Sequence, residues 1–438
     1  MKRNFLIMVI IVSSFTAAFS ANSETIALVG GTVIDVSNFG NSHADIKDAV
    51  VLVRREKIFA VGSRDAVSIP DCARIIDAKG KYILPGLIDG FAALDNQAYA
   101  NTYLYMGVTS IVGASGFRRS ALFKNADPGP NIFLLGFVGK WKVTTEEMLN
   151  QIEVWAKKGV KFLILMYELR PEQLKLALKK AHGLGMAAIG ELGYTSYREA
   201  IKYGIDAFIH SGRYSLDIAP PEIRAKVAAQ PFGPPAREYA RWLAGINPEK
   251  NFVQEYANIL GSSPAALMPT LSLYCLDLPI LDNPWEEPVA QILNPRDIHF
   301  PLDKLTGKHN FEPETLSGVI KRAENTLKIE KKYNQAGARY LAGSGTDVNG
   351  TMPGISLHQE LELLTKIGLT ERQALAAATS NFAEIFKWNE VGQIKSGCRA
   401  DIIIVEKNPL ENIKNLKKIH TVILNGMIIS RKKLLKIK

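Results

Sequence analysis

The feature that most constrains the fold is the alternation of short apolar runs with amphipathic helical stretches through the middle of the chain. In the intervening stretch at residues 171–184, Leu174, Ala177, Leu178 and Ala181 recur at helical spacing. Eight strands that alternate with helices predict an α/β fold with a parallel, TIM-like (β/α)8 barrel over residues 83–390. The predicted barrel strands are residues 82–88, 109–112, 132–135, 162–166, 187–189, 207–210, 266–270 and 339–342.

Short β-branched runs and turns occupy both ends of the chain, at residues 21–82 and 391–430. Neither end has enough strands to form a core alone, because isolated hairpins are marginal in water. We therefore expect the ends to pair as one small, discontinuous β-sandwich domain. A chain of 438 residues with 47% hydrophobic content is long enough for a barrel that carries such a satellite.

Residues 1–20 have the layout of a secretory signal peptide. Lys2 and Arg3 precede an apolar run at residues 5–12, and small residues end at Ser20. The pattern predicts an exported protein, in a bacterial periplasm, whose mature chain starts near Ala21; an uncleaved N-terminal anchor is the alternative. No later run approaches the ~20 apolar residues of a spanning helix, so we expect no stable membrane span after cleavage.

The formal charge of +10 falls to +8 when Lys2 and Arg3 are removed. The Lys-rich end at residues 431–438 is typical of a solvated tail. Because no basic run is interleaved with aromatic residues, we expect no nucleic-acid partner. The expected partner is a small-molecule substrate or ligand, and homo-oligomerisation is left open.

Residues 84–90 read LPGLIDG and run directly into Phe91, Ala92 and Ala93. This segment resembles the first barrel strand of the amidohydrolase superfamily, in the branch that includes imidazolonepropionases and prolidases. In that family a His-x-His pair at this point holds a catalytic metal. Phe91 and Ala93 stand at those two positions, and neither side chain has a lone pair to offer a metal ion.

The resemblance extends over nearly the whole mature chain and implies further losses. The family's metal-bridging lysine on the fourth strand aligns with Ile164, and Glu168 follows just beyond the strand end. The family's histidine on the fifth strand aligns with Gly190 or, with a shift of one residue, Glu191. The resemblance therefore implies a site from which most metal ligands have been replaced.

Two family positions keep their residues: His210 matches the sixth-strand histidine and Asp347 the eighth-strand aspartate. In the family, that aspartate takes a proton from the metal-bound water that attacks the substrate. The resemblance implies hydrolysis of a C–N bond, other than a peptide bond, in a small linear or cyclic amide, with Asp347 and His210 as the catalytic residues.

Three hypotheses remain open at this point. A single divalent metal ion, zinc before others, would be held by His210, Glu191 and Glu168, with Asp347 as general base. Alternatively, hydrolysis proceeds without metal, with Asp347 as base and His210 as acid or oxyanion stabiliser. In the third hypothesis the chain is an inactive pseudoenzyme that binds a ligand or a partner, and Phe91 and Ala93 line an apolar substrate pocket.

Overall fold

The computed structural model describes residues 25–114 and 121–437. The predicted signal peptide at residues 1–20 lies outside this part of the chain. The strands are β1 Thr25–Val33, β2 Ile46–Arg54, β3 Lys57–Ser63, β4 Arg74–Asp77, β5 Tyr82–Pro85, β6 Leu87–Ala93, β7 Val108–Ala114, β8 Asn131–Val138, β9 Phe162–Met166, β10 Ala187–Glu191, β11 Ala207–Ile209, β12 Ala266–Met268, β13 Arg339–Tyr340, β14 Ile402–Val405, β15 Ile419–Leu424 and β16 Met427–Ile429.

Helices separate most of the barrel strands, and their N-termini are often capped by side chains. Thr144 and Ser196 each form a capping box with the glutamate three residues later. The α-helical segments are α1 Ser37–Gly40, α2 Gln97–Tyr105, α3 Thr145–Lys157, α4 Pro171–Gly183, α5 Tyr197–Lys202, α6 Ser211–Tyr214, α7 Pro221–Ala229, α8 Pro234–Gly245, α9 Asn251–Gly261, α10 Ser272–Cys275, α11 Pro313–Gln335, α12 Ile355–Lys366, α13 Glu371–Ala377, α14 Ser380–Phe386 and α15 Arg431–Leu434.

Strands β6 to β13 form one sheet in chain order, and every pair of neighbours is parallel. Hydrogen bonds also link the two ends of this sheet: the Gly90 N–H donates to the Ala342 carbonyl at 3.0 Å, and the Gly345 N–H donates to the Phe91 carbonyl at 2.9 Å. The interior is filled by buried apolar side chains such as Ile164. This arrangement confirms the predicted TIM-like barrel.

The first barrel strand differs from its prediction. The run at residues 82–88 was expected to be one strand, but Tyr82–Pro85 pairs with β1 and β14, whereas Leu87–Ala93 enters the barrel. Gly86 separates the two, and its N–H donates to the Asp401 carbonyl at 2.8 Å. A Cβ at this position would overlap the Thr109 side chain, so the chain changes sheets where only glycine fits.

Strands from the two chain ends form a second, mixed sheet in the order β16-β15-β14-β5-β1-β2-β3, with β4 beside β1. The ends meet where β5 and β14 pair antiparallel, with Leu84 opposite Ile403. The predicted pairing of both ends is therefore present, as one mixed sheet; its arrangement as a sandwich stays a prediction.

A two-pronged ion pair ties this N-terminal region to the helices of the barrel. Arg372, on α13, donates to both carboxylate oxygens of Asp45 at 2.6 and 2.8 Å and also to the Asp35 carbonyl at 2.6 Å. The Arg372 side chain is largely buried. This fork geometry fixes the relative position of the two segments.

After β11 the chain forms the short helix α6 and then α7, α8 and α9 before it returns to the barrel at β12. Helices α7, α8 and α9 are an insertion between these two strands. Within the described residues, none of the helices is both long and apolar enough to cross a membrane.

Candidate active site

A cavity of about 430 Å³ lies where the C-terminal ends of β6, β10 and β11 meet α8 and α11. Active sites of (β/α)8 barrels occur at this end of the strands. The walls are largely aromatic and apolar. The residues that matter for its chemistry are Phe91, Glu191, His210, Arg213, Tyr239 and Arg322.

His210 follows the last residue of β11 and is held in a left-handed backbone conformation, with φ at 64°. Its Nδ1 lies 2.8 Å from the Thr270 hydroxyl, and that hydroxyl donates its single proton to the Pro269 carbonyl at 2.7 Å. With the Thr270 proton directed at the Pro269 carbonyl, Nδ1 carries a proton and donates to Thr270. In the neutral ring this leaves the lone pair on Nε2, which can accept a proton or bind an electrophile.

The surroundings of His210 keep its ring uncharged. Burial lowers its pKa to about 4, the negative charge of Glu191 opposes this effect, and the positive charge of Arg213 adds to it. At neutral pH the ring is a weak base rather than a cation. It can accept a proton during a reaction, but it does not provide a permanent positive charge for substrate binding.

The two residues at the lost His-x-His positions have different surroundings. The Phe91 ring lines the cavity and meets the His210 ring edge to face, with centroids 5.2 Å apart. Ala93 is buried and is not among the lining residues; its carbonyl accepts a hydrogen bond from the Tyr103 hydroxyl at 2.9 Å. Phe91 thus supplies an apolar wall beside His210, as expected of a pocket residue.

Glu191, at the end of β10, lines the cavity and forms an ion pair with Arg213, whose Nε donates to its Oε1 at 3.2 Å. Arg213 also donates to the Pro231 carbonyl at 3.0 Å, and its guanidinium lies 5.0 Å from the centre of the Phe232 ring. The carboxylate is therefore already neutralised within the protein. Glu168, just beyond β9, is half-buried and is not among the lining residues.

Asp347 lies behind the cavity rather than in its wall. Its side chain is fully buried, and Tyr99 donates a hydrogen bond to its Oδ2 at 3.3 Å. The next two residues, Val348 and Asn349, do line the cavity. The structure thus brings His210, Glu191 and Phe91 to one surface and sets Asp347 beside that surface. A catalytic role for Asp347 stays a prediction.

Comparisons with known proteins support the predicted resemblance. Residues 294–429 match the model of the Amidohydrolase family. A 5-methylthioadenosine/S-adenosylhomocysteine deaminase from Carboxydothermus hydrogenoformans is 24% identical, and the match covers 94% of each chain. These matches support the predicted place of the chain in the amidohydrolase superfamily. Adenine deaminase 4 of Rhizobium meliloti is 33% identical over 101 residues, which are 22% of this chain and 16% of that protein.

A solved structure has a similar fold to this chain. The putative prolidase from Bifidobacterium longum superimposes with a TM-score of 0.61 at 21% identity, over 93% of this chain and 95% of that one. The likeness at this identity concerns the fold. The family match supports the predicted superfamily, and the likeness of fold supports the predicted barrel.

The donor atoms of this chain do not fit the metal centre of the family that it resembles. Phe91, Ala93 and Ile164 present no donors at the positions where family ligands stand. Within residues 25–114 and 121–437, no group of three or more His, Cys, Asp or Glu side chains is close enough to hold a metal ion. A one-metal site of His210, Glu191 and Glu168 stays a prediction, and the Glu191 carboxylate would first have to leave Arg213.

Sequence reasoning missed five polar residues of this site: Arg213, Tyr239, Tyr274, Arg322 and Asn349. Arg213 follows His210 by three residues, and this proximity was a usable signal because a strand-end histidine and the next helical turn face the same mouth. Tyr239 lies in α8, Tyr274 in α10 and Arg322 in α11, and Asn349 lies between β13 and α12. No local pattern indicates that these helices turn those side chains toward the barrel.

Proposed function

We propose that the chain hydrolyses a C–N bond, other than a peptide bond, in a small amide or cyclic amide bound in this cavity, and that His210 activates the attacking water. The observation that carries the proposal is the position of His210, whose Nε2 bears the lone pair in a cavity at the catalytic end of the barrel. The match to a hydrolase family model, with similar proteins named as deaminases and prolidases, supports hydrolysis of a C–N bond. The restriction to bonds other than peptide bonds is part of the proposal.

The chemistry needs one proton to be moved twice. Nε2 of His210 accepts a proton from water as the water oxygen bonds to the substrate carbonyl carbon, and the carbonyl π electrons move to its oxygen. When the C–N bond breaks, Nε2 returns the proton to the departing nitrogen. Thr270 holds Nδ1 through both steps, and the negative charge of Glu191 favours the transient imidazolium.

The same geometry limits the substrate to activated groups. A positioned general base contributes typically 10² to 10⁴ in rate, and a base with a pKa near 4 is weak. Imides, strained lactams and lactones need less assistance than a plain amide. Because His210 is neutral above its pKa, kcat/KM should fall as the pH is lowered through about 4 and stay level above it.

A second function, ligand binding without catalysis, is favoured by one observation. Asp347 is the residue that matches the family's proton acceptor. It lies outside the cavity wall and accepts a hydrogen bond from Tyr99. A cavity that lacks this carboxylate and has Phe91 in place of a metal ligand suits an apolar ligand.

The test is hydrolysis by the purified protein of a panel of imides, lactams and lactones, measured with and without a chelator. We expect the His210→Gln variant to lose at least about 100-fold in kcat/KM, and the His420→Gln variant to be unchanged. His420 is the matched control because it lies exposed on β15 of the mixed sheet. Equal rates for His210→Gln and the wild type contradict the proposal. Binding of panel compounds without any turnover favours the second function.

A further inference from the structure

Two polar groups in the cavity have no partner within the described part of the chain. They are Nε of Arg322 and the hydroxyl of Tyr239, and both atoms are buried. Tyr239 as a whole is 7% exposed. Buried polar groups in folded proteins are nearly always hydrogen-bonded, because an unmade bond costs the full desolvation of the group. Two such donors in one cavity point to an acceptor supplied by its occupant.

The charges that face the cavity do not cancel. The positive charge of Arg213 is matched by Glu191 at 3.2 Å, and His210 is neutral. Among the described residues, no carboxylate forms an ion pair with Arg322, whose guanidinium lies 6.0 Å from the ring centre of Tyr274. One positive charge therefore remains uncompensated, and a single negative charge on the occupant would neutralise it.

The rest of the wall sets the shape of the occupant. Apolar surface comes from Phe91, Pro231, Phe232, Leu243 and Leu273. A volume of about 430 Å³ is within the usual range for a small-molecule site. The wall therefore suits a compact apolar body with its charge at one end.

We propose that the occupant is an apolar monocarboxylate, whose carboxylate binds to Arg322 and Tyr239 while its body lies against the aromatic wall. The Nε–H and a neighbouring Nη–H of Arg322 form the fork that matches a carboxylate, and the Tyr239 hydroxyl donates a third bond. This inference rests on the proposed function, since it takes the same cavity as the substrate site. It narrows the substrate class to amides or imides that carry a free carboxylate.

Calorimetric titration with two matched probes, 4-phenylbutyrate and 4-phenylbutyramide, tests the assignment. The probes share their apolar body and differ in charge. We expect the acid to bind the wild type about 10-fold or more tightly than the amide. Arg322→Gln should lower the affinity for the acid about 10-fold or more and leave the affinity for the amide within about twofold.

Two further variants complete the test. Tyr239→Phe removes one oxygen atom and should weaken binding of the acid about 3- to 10-fold. This variant tests the carboxylate site even if Arg322→Gln does not fold. Arg241→Gln is the control, because Arg241 is exposed on the same helix, α8, as Tyr239. Equal affinity of the wild type for acid and amide, no binding of either at about 5 mM, or full acid affinity in Arg322→Gln and Tyr239→Phe would overturn the inference.

The same titration separates this inference from the proposed reaction. His210→Gln should bind the acid within about twofold of the wild type, because His210 is neutral and is not one of the proposed carboxylate donors. Retained binding by a wild type that shows no hydrolysis would leave the carboxylate site standing and reject the reaction. Hydrolysis by a wild type that does not prefer acids would reject the carboxylate site and leave the proposed reaction standing.

Discussion

Glu330 gives a prediction that links the stability of the fold to the site. This glutamate of α11 is fully buried and accepts hydrogen bonds from Ser211 at 2.5 Å, Tyr214 at 2.7 Å and Tyr340 at 3.0 Å. Ser211 and Tyr214 form the turn directly after His210. Burial raises the pKa of Glu330 from 4.5 to about 7, because the three hydrogen bonds only partly offset the loss of water.

The sign and size of the effect follow from this pKa. The folded state holds the Glu330 proton up to about pH 7, whereas the unfolded state loses it near 4.5. The stabilisation is therefore fully present below 4.5 and is lost as the pH rises through 7. At about 1.4 kcal/mol per pKa unit the full effect is about 3 to 4 kcal/mol, most of which falls between about pH 5 and pH 8.

The assay is urea unfolding of the wild type and Glu330→Gln at a series of pH values from about 5 to 8. The glutamine keeps the shape and cannot titrate, so the wild type should lose about 2 to 3 kcal/mol more than the variant over this range. Asp89 and Glu360, whose pKa values burial raises to about 6 and about 8, contribute to both proteins and cancel in the comparison. The control is Glu324→Gln, exposed on the same helix. Parallel curves for the wild type and Glu330→Gln would refute the reasoning.

Two further predictions concern the domain junction and the lost ligands. Arg372→Gln should lower the free energy of unfolding by about 2 kcal/mol, because it leaves the partly buried Asp45 without its partner. Arg64→Gln, at an exposed pair, should leave the free energy of unfolding nearly unchanged in the same urea assay. Equal effects would contradict a structural role for the Arg372 pair. The double substitution Phe91→His with Ala93→His should raise zinc uptake towards one equivalent. Both positions share one face of β6, and the Phe91 ring already contacts His210. Unchanged zinc uptake would contradict the alignment of positions 91 and 93 with the family's His-x-His pair.

Much of the fold could be predicted because barrel strands and helices have distinct periodicities. The strand at Phe162–Met166 has its predicted bounds, and the helix predicted for residues 171–184 is Pro171–Gly183. The change of sheet at Gly86 could not be predicted, because it depends on close contact with Thr109, which is distant in space until the barrel forms. Local pattern contains no information about that contact.

The site was predictable only where a residue stands at a strand end. His210 and Phe91 reach the cavity for this reason. The same reasoning did not show that Glu191 is paired with Arg213, because an ion pair depends on how the next helix turns. No sequence pattern indicated that Arg322 lines the cavity, because its place in the wall results from the packing of α11 over the barrel mouth.

We propose that an apolar, cationic cavity in this chain takes the place of the family's metal centre. Elemental analysis of the purified protein, by inductively coupled plasma mass spectrometry after divalent metals have been offered and dialysed away, tests it most directly. We predict less than about a tenth of an equivalent of zinc, manganese or iron, because Phe91 and Ala93 present no donors and Glu191 is bound to Arg213. A near-stoichiometric metal content that disappears in His210→Gln would contradict the claim.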